Sequence, residues 1–115
     1  MNKDTRAYLD TALWSSVGDN DEPLDSLYTP DDVSPGCVEQ AGVDLAKFYS
    51  LCQGAGLEED LNENWPYDFW LTRNHHGAGF WDGDYNNGDK LTEIAQAFKE
   101  LHPIVGDDGL IYLEG

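Results

Sequence analysis

The side chains best suited to chemistry gather in one short stretch: His75, His76, Asp82 and Asp84 lie within ten residues, and Arg73 sits just ahead of them. Imidazole and carboxylate together ligate divalent metals, so the composition admits a small metal or ligand site, or an enzyme centre, built from His76, Asp82, Asp84 and Arg73. The spacing argues the other way. Adjacent residues of a strand point to opposite faces, so one ion would not take both histidines. The plainer reading sets His75 in a turn and lets His76 satisfy local backbone groups. Asp82 and Asp84 form a candidate carboxylate pair, yet turn aspartates without chemistry are far commoner. Gly77, Ala78 and Gly79 lack the lysine or arginine that a phosphate loop needs. No serine, histidine and aspartate stand on an elbow motif, and no cysteine stands beside a base. The sequence therefore predicts no catalytic residue, no metal and no cofactor.

The elements that position this stretch follow from apolar spacing. Thr5 or Asp4 caps a first helix running to about Trp14, with Tyr8, Leu9, Ala12 and Leu13 as its apolar stripe. Residues 15–33 carry Gly18, Pro23, Pro30 and six aspartates or glutamates, the pattern of an acidic loop pinned by Leu24, Leu27 and Tyr28. Ser34 and Pro35 start the main helix, in which Val38, Ala41, Leu45, Phe48 and Cys52 recur at steps of three and four, and Gly54 and Gly56 end it. Cys37 and Cys52, the only two cysteines, then stand more than ~20 Å apart along one helix and remain buried thiols. Tyr67 to Arg73 alternates as a strand, and HHGAGF returns as its partner. Asp89 caps a last helix through Leu91, Ile94, Ala95, Phe98 and Leu101, stopped by Pro103, and a second hairpin turns at GDDG, residues 106–109. The expected fold is a single α+β domain over residues 1–115: 1–62 mainly helical, 63–115 hairpin, helix, hairpin. Three main helices pack on an antiparallel sheet of three to four strands. Arg73, in this scheme, forms a structural salt bridge with an acidic neighbour such as Asp68.

Charge bounds the class of partner. Six Lys and Arg stand against 23 Asp and Glu, a net charge of −17, so phosphate is repelled and direct nucleic-acid binding is not expected. No stretch approaches the ~20 apolar residues that cross a bilayer, and MNKDTRAYLDTALW lacks the layout of a signal peptide. Between Ala7 and Ala46 there are nine acidic residues and no basic one. Asp19, Asp21, Glu22, Asp25, Asp31 and Asp32, joined by Glu58, Glu59, Asp60 and Glu63, make the expected acidic face. At one duplex charge per ~1.7 Å, the net charge equals that of about 29 Å of B-DNA. Seven aromatic residues crowd positions 65–85; they fill a core, or a core plus a contact surface in which Trp70 and Trp81 are the anchors.

The run from Asp68 to Gly83, DFWLTRNHHGAGFWDG, resembles the signature of a family of small bacteriophage-encoded proteins that carry DFWLTRNGHGAGFWD there. The likeness extends to YLDTALWSS, EPLD, YTPDDVSP and VGDDGLIYL, and is loose over Val38 to Gly56. His75 departs from the family's glycine, as does the stretch after Trp81. The resemblance implies a viral origin and the host bacterial cytoplasm, and it supplies no reaction. Together with the charge it points to a non-enzymatic monomer or homodimer. Its partner would be a host protein with a basic nucleic-acid-binding surface, occupied in the manner of a DNA mimic of anti-restriction or anti-CRISPR type. The alternatives are the histidine and aspartate site above, and a soluble accessory domain whose acidity serves solubility alone.

Overall fold

The computed structural model describes residues 1–17, 21–82 and 84–115. Four helices, α1 (Lys3–Trp14), α2 (Pro35–Gly54), α3 (Trp65–Arg73) and α4 (Gly88–Gln96), precede one hairpin of β1 (His102–Val105) and β2 (Ile111–Glu114). The cap of α1 is Asn2 rather than Thr5 or Asp4: its Oδ1 accepts from the Thr5 amide at 2.8 Å. The stripe of Tyr8, Leu9, Ala12 and Leu13 is buried as its spacing requires. Ser34 caps α2 by accepting from the Cys37 amide, and Ala41, Leu45, Phe48 and Cys52 form its inner face. Gly56 then takes a left-handed φ of 73°. Its amide bonds Gln53 O and that of Leu57 bonds Cys52 O, a Schellman stop that buries Leu57. The acidic segment is not wholly irregular, since Leu24–Ser26 and Pro30–Asp32 each make one 3-10 turn.

The first of the two expected hairpins does not exist. Residues 65–73 form α3, because Pro66 suits a first helical turn and Pro66, Phe69, Trp70 and Arg73 recur at helical steps. A strand would send Phe69 and Trp70 to opposite faces; the helix lets both enter the core, with Phe69 fully buried and Trp70 nearly so. The HHGAGF segment forms no strand and is held by side chains: the Phe80 amide donates to Thr72 Oγ1 and the Gly79 amide to Asp82 Oδ2. Among the described residues the fold is therefore α+β with four helices and a two-stranded antiparallel sheet, not three to four strands. The second hairpin is present, registered from His102 opposite Glu114 to Val105 opposite Ile111. It is tied to the start of α2 where the Ser34 amide donates to Ile111 O at 2.9 Å.

The core is aromatic. Phe48 of α2 stacks on Phe69 at 4.4 Å between centroids, on Phe80 at 5.5 Å and on Trp65 at 5.7 Å, while Tyr8 of α1 meets Trp70 edge-on at 5.2 Å. Offset and edge-on pairs of this kind add to the area they bury. Arg73, 3% exposed, passes through this core. Its Nε and Nη2 donate to Lys99 O at 2.9 and 2.6 Å, and its Nη1 donates to the Tyr8 hydroxyl at 3.0 Å and to Asp44 Oδ2 at 2.8 Å. The rings of Phe69 and Phe98 lie 5.6 and 5.2 Å from the guanidinium. A salt bridge is present, as expected, but to Asp44; Asp68 instead accepts from the Tyr85 hydroxyl at 2.6 Å.

Two predictions come from this packing. Arg73→Met strands the Asp44 carboxylate and the Lys99 carbonyl without their donor, and is expected to cost about 3–5 kcal/mol in urea unfolding. A loss below ~1 kcal/mol, the scale of an exposed pair, would show that the network does not hold the fold. The second concerns alkali. Burial raises the Cys52 thiol from 9.0 to about 11 and pushes the Tyr8 and Tyr85 hydroxyls well above the ordinary tyrosine value. Each folded-state value lies above its unfolded one, so the stability these groups confer is complete below pH 9 and is lost as pH rises beyond 9–10. Tyrosinate absorbance from the buried rings and loss of helical circular dichroism should therefore appear together in an alkaline titration. Full tyrosine ionisation in a still-folded molecule would contradict this.

Candidate functional site

The acidic segment runs back along α1. At the C-terminal end of that helix the Leu24 amide donates to Ser16 O at 3.0 Å; nearer its start Asp31 pairs with Arg6 at 2.8 Å. Asp21, Glu22 and Asp25 are exposed at the first of these places. Asp32 is half-buried, and its Oδ2 accepts from the Thr29 amide to close a capping box. Asp19 lies outside the described residues. The second acidic group divides in the same way. Glu58, Glu59 and Glu63 are all exposed, and Glu58 also accepts from Gln53 Nε2 and from the Tyr49 hydroxyl, a bond that raises the Tyr49 value. Asp60 is turned to structural use: its two oxygens accept from the amides of Asn86 and Asn87 at 2.8 and 2.7 Å, just before α4.

The nine predicted carboxylates among the described residues thus do not form one cluster. Glu58 and Glu63 share a shallow depression with Lys3 and Asp4 at the start of α1, and residues 21–25 stand at its other end, about 18 Å away along a helix rising 1.5 Å per residue. What the structure preserves is the lack of neutralisation. Among the described residues the cation and carboxylate contacts are Arg6 with Asp31, Arg73 with Asp44 and His75 with Glu100. The molecule measures 43 × 25 × 22 Å, so its net charge amounts to one per about 2.5 Å of the long axis, against ~1.7 Å for duplex DNA. The density is about two thirds of the duplex value, lower than a compact sphere implies, because the molecule is elongated.

The aromatic anchors need correction. Trp70 is 1% exposed, and its indole N–H donates to Ser15 Oγ at 3.1 Å, so it belongs to the core and presents nothing to a partner. Trp81 is 39% exposed, its indole donating to Gly77 O. Sequence reasoning missed Trp14, which is 48% exposed at the end of α1; Val17 and Leu27, in the segment that follows, are exposed as well. The signal was available, since Trp14 falls outside the stripe of Tyr8, Leu9, Ala12 and Leu13.

The histidine and aspartate cluster does not converge. His75 is exposed and contacts Gln96 through Nδ1 and Glu100 through Nε2, both at 3.3 Å; His76 is half-buried. Asp82 accepts from Gly79, and Asp84 is exposed. Among the described residues no three His, Cys, Asp or Glu side chains are placed to share a metal ion. Burial raises the Asp68 carboxyl value, the bond from Tyr85 opposes the rise, and the charges of Asp82 and Asp84 add to it. Of the two free cysteines, Cys52 is buried and Cys37 is only half-buried, its Sγ facing the Leu113 amide at 3.5 Å. Comparison with protein-family models, with curated proteins and with solved structures finds no match to this chain.

His75 does have a defined local role. It follows the last turn of α3 with a left-handed φ of 57°, its amide bonds Thr72 O, and the next amide, of His76, bonds Leu71 O. This is a Schellman stop with histidine in the position that favours glycine, as Gly56 occupies after α2. His75→Gly is expected to raise stability by about 0.5–1 kcal/mol, read as a higher urea midpoint at unchanged slope. A lower midpoint would mean that the exposed contacts to Gln96 and Glu100 outweigh the backbone strain.

Proposed function

We propose that this chain is a bacteriophage accessory protein that acts in the host bacterial cytoplasm by occupying the basic nucleic-acid-binding surface of a host protein and blocking it. The observation that carries this reading is the un-neutralised carboxylate: 23 acids, six cations, and two arginine pairs among the described residues. Self-repulsion on this scale costs stability, and it is accounted for if the field is used. Asp21, Glu22 and Asp25 along α1, with Glu59 and Glu63 beyond its start, would stand in for phosphates opposite lysine and arginine, whereas Asp31 already pairs with Arg6. Exposed Trp14, Val17 and Leu27 beside residues 21–25 offer the desolvated apolar contact that a purely ionic surface lacks; Trp81 is a second such contact. The likeness of residues 68–83 to a phage signature supports the viral setting. The host target is defined by its chemistry alone, a basic nucleic-acid-binding surface.

The test is competition. A labelled DNA duplex bound to basic host proteins, including restriction and CRISPR effectors, should be displaced by this chain, with apparent affinity falling as salt rises from 50 to 200 mM, the range over which phosphate contacts weaken steeply. Asp21→Asn, Glu22→Gln and Asp25→Asn combined should weaken displacement roughly 3- to 10-fold, as three rim charges do. Affinity for every basic partner that is unchanged by salt would end this proposal.

A further inference from the structure

Half of the chain's six cationic side chains meet in one place. A groove of about 490 Å³ lies between α2 and the segment joining α4 to the hairpin, within the size range of small-molecule sites. Leu51, Phe98, Leu101 and Leu113 give it apolar walls. The charged residues that line it are Lys47, Arg73 and Lys99 against Asp44 alone, a local balance of +2 in a chain of −17. Among the described residues none of the chain's four lysines forms a salt bridge, so at the groove no carboxylate pairs with Lys47 or Lys99. Lys47 instead holds its ammonium over the Phe98 ring at 5.6 Å.

Arg73 supplies a second, independent sign. A guanidinium carries five N–H donors. Four are used, by Lys99 O twice, by the Tyr8 hydroxyl and by Asp44. One on Nη2 is left without a partner among the described residues, on a side chain that lines the groove while being almost fully buried. An uncommitted buried donor is costly unless something accepts from it.

From this arrangement we infer that the groove binds a small amphipathic carboxylate. Its anion sits between Lys47 and Lys99 and accepts the remaining Arg73 N–H, and its apolar body lies against Leu51, Phe98, Leu101 and Leu113. A cation is repelled by the local charge. A polyanion is disfavoured because Asp44 and four apolar walls share the space, so a single negative charge on a hydrocarbon or aryl body is the match. The site uses none of the carboxylates assigned to partner binding, so it and the inhibitor reading can fail separately.

The experiment is a titration of the intact chain with octanoate, 1-octanol and octylamine, followed by methyl NMR and calorimetry. Octanoate should bind saturably and shift the methyl signals of Leu51, Leu101 and Leu113, and octylamine should not. Lys47→Met with Lys99→Met should weaken octanoate about tenfold while leaving octanol unchanged, since each exposed ion pair contributes a few-fold. Both lysines are exposed, so the variant should keep its melting temperature; if it does not, Lys47→Gln alone replaces it, with a loss of about threefold expected. Absence of saturable octanoate binding at millimolar concentration would overturn the inference. So would octanol or octylamine binding as tightly as octanoate, or lysine variants binding octanoate with unchanged affinity.

Discussion

The fold turns on one buried guanidinium. Arg73 leaves the end of α3, crosses the aromatic core and bonds Tyr8 of α1, Asp44 of α2 and the Lys99 carbonyl after α4. Three helices and the entry to the hairpin therefore share one set of donors. A buried ion pair seldom adds net stability over an apolar equivalent, because desolvation offsets the attraction. Geometry is what it fixes: a planar fork satisfies its acceptors in one arrangement of the helices, where stacked Phe48, Phe69 and Phe80 alone would tolerate several. The core supplies the driving force and Arg73 supplies the register.

The same residue shows how the chain sorts its charge. With 23 acids and six cations, most carboxylates stay outside, in water. Those that turn inward have specific donors: Asp44 takes Arg73, Asp60 takes two amides and Asp68 takes the Tyr85 hydroxyl. Three of the six cations, Lys47, Arg73 and Lys99, line the groove beside α2 instead. The molecule thus has a negative exterior and one confined positive recess, and the two parts suit different ligands.

Much of this was legible in the residues. Ser34 with Pro35 marked the start of α2, the spacing of Ala41, Leu45, Phe48 and Cys52 marked its face, and GDDG marked the hairpin turn. Over residues 67–73 alternation suits a strand, but Pro66, Phe69, Trp70 and Arg73 also recur at a helical period, and the helical period prevails. A nine-residue helix offers little more than two turns of evidence, and its tryptophan and phenylalanine are weak helix formers that tertiary packing overrides. Burial was the harder part of the site. Which of ten acids face water depends on amides that approach from distant segments, as Asn86 and Asn87 approach Asp60. The recess was invisible for the same reason: Lys47, Arg73 and Lys99 are far apart in sequence.

The bond from the Ser34 amide to Ile111 O also bears on synthesis. Ile111 is fully buried, and Val33 bridges to it directly. The first turn of the longest helix therefore lacks its tertiary cover until a residue 77 positions later has left the ribosome, an interval of roughly 4–15 s at translation rates of about 5–20 residues per second. During that interval the nascent chain holds Val33 and the start of α2 without the strand that pairs with them, and its dense negative charge is the feature that keeps such chains apart.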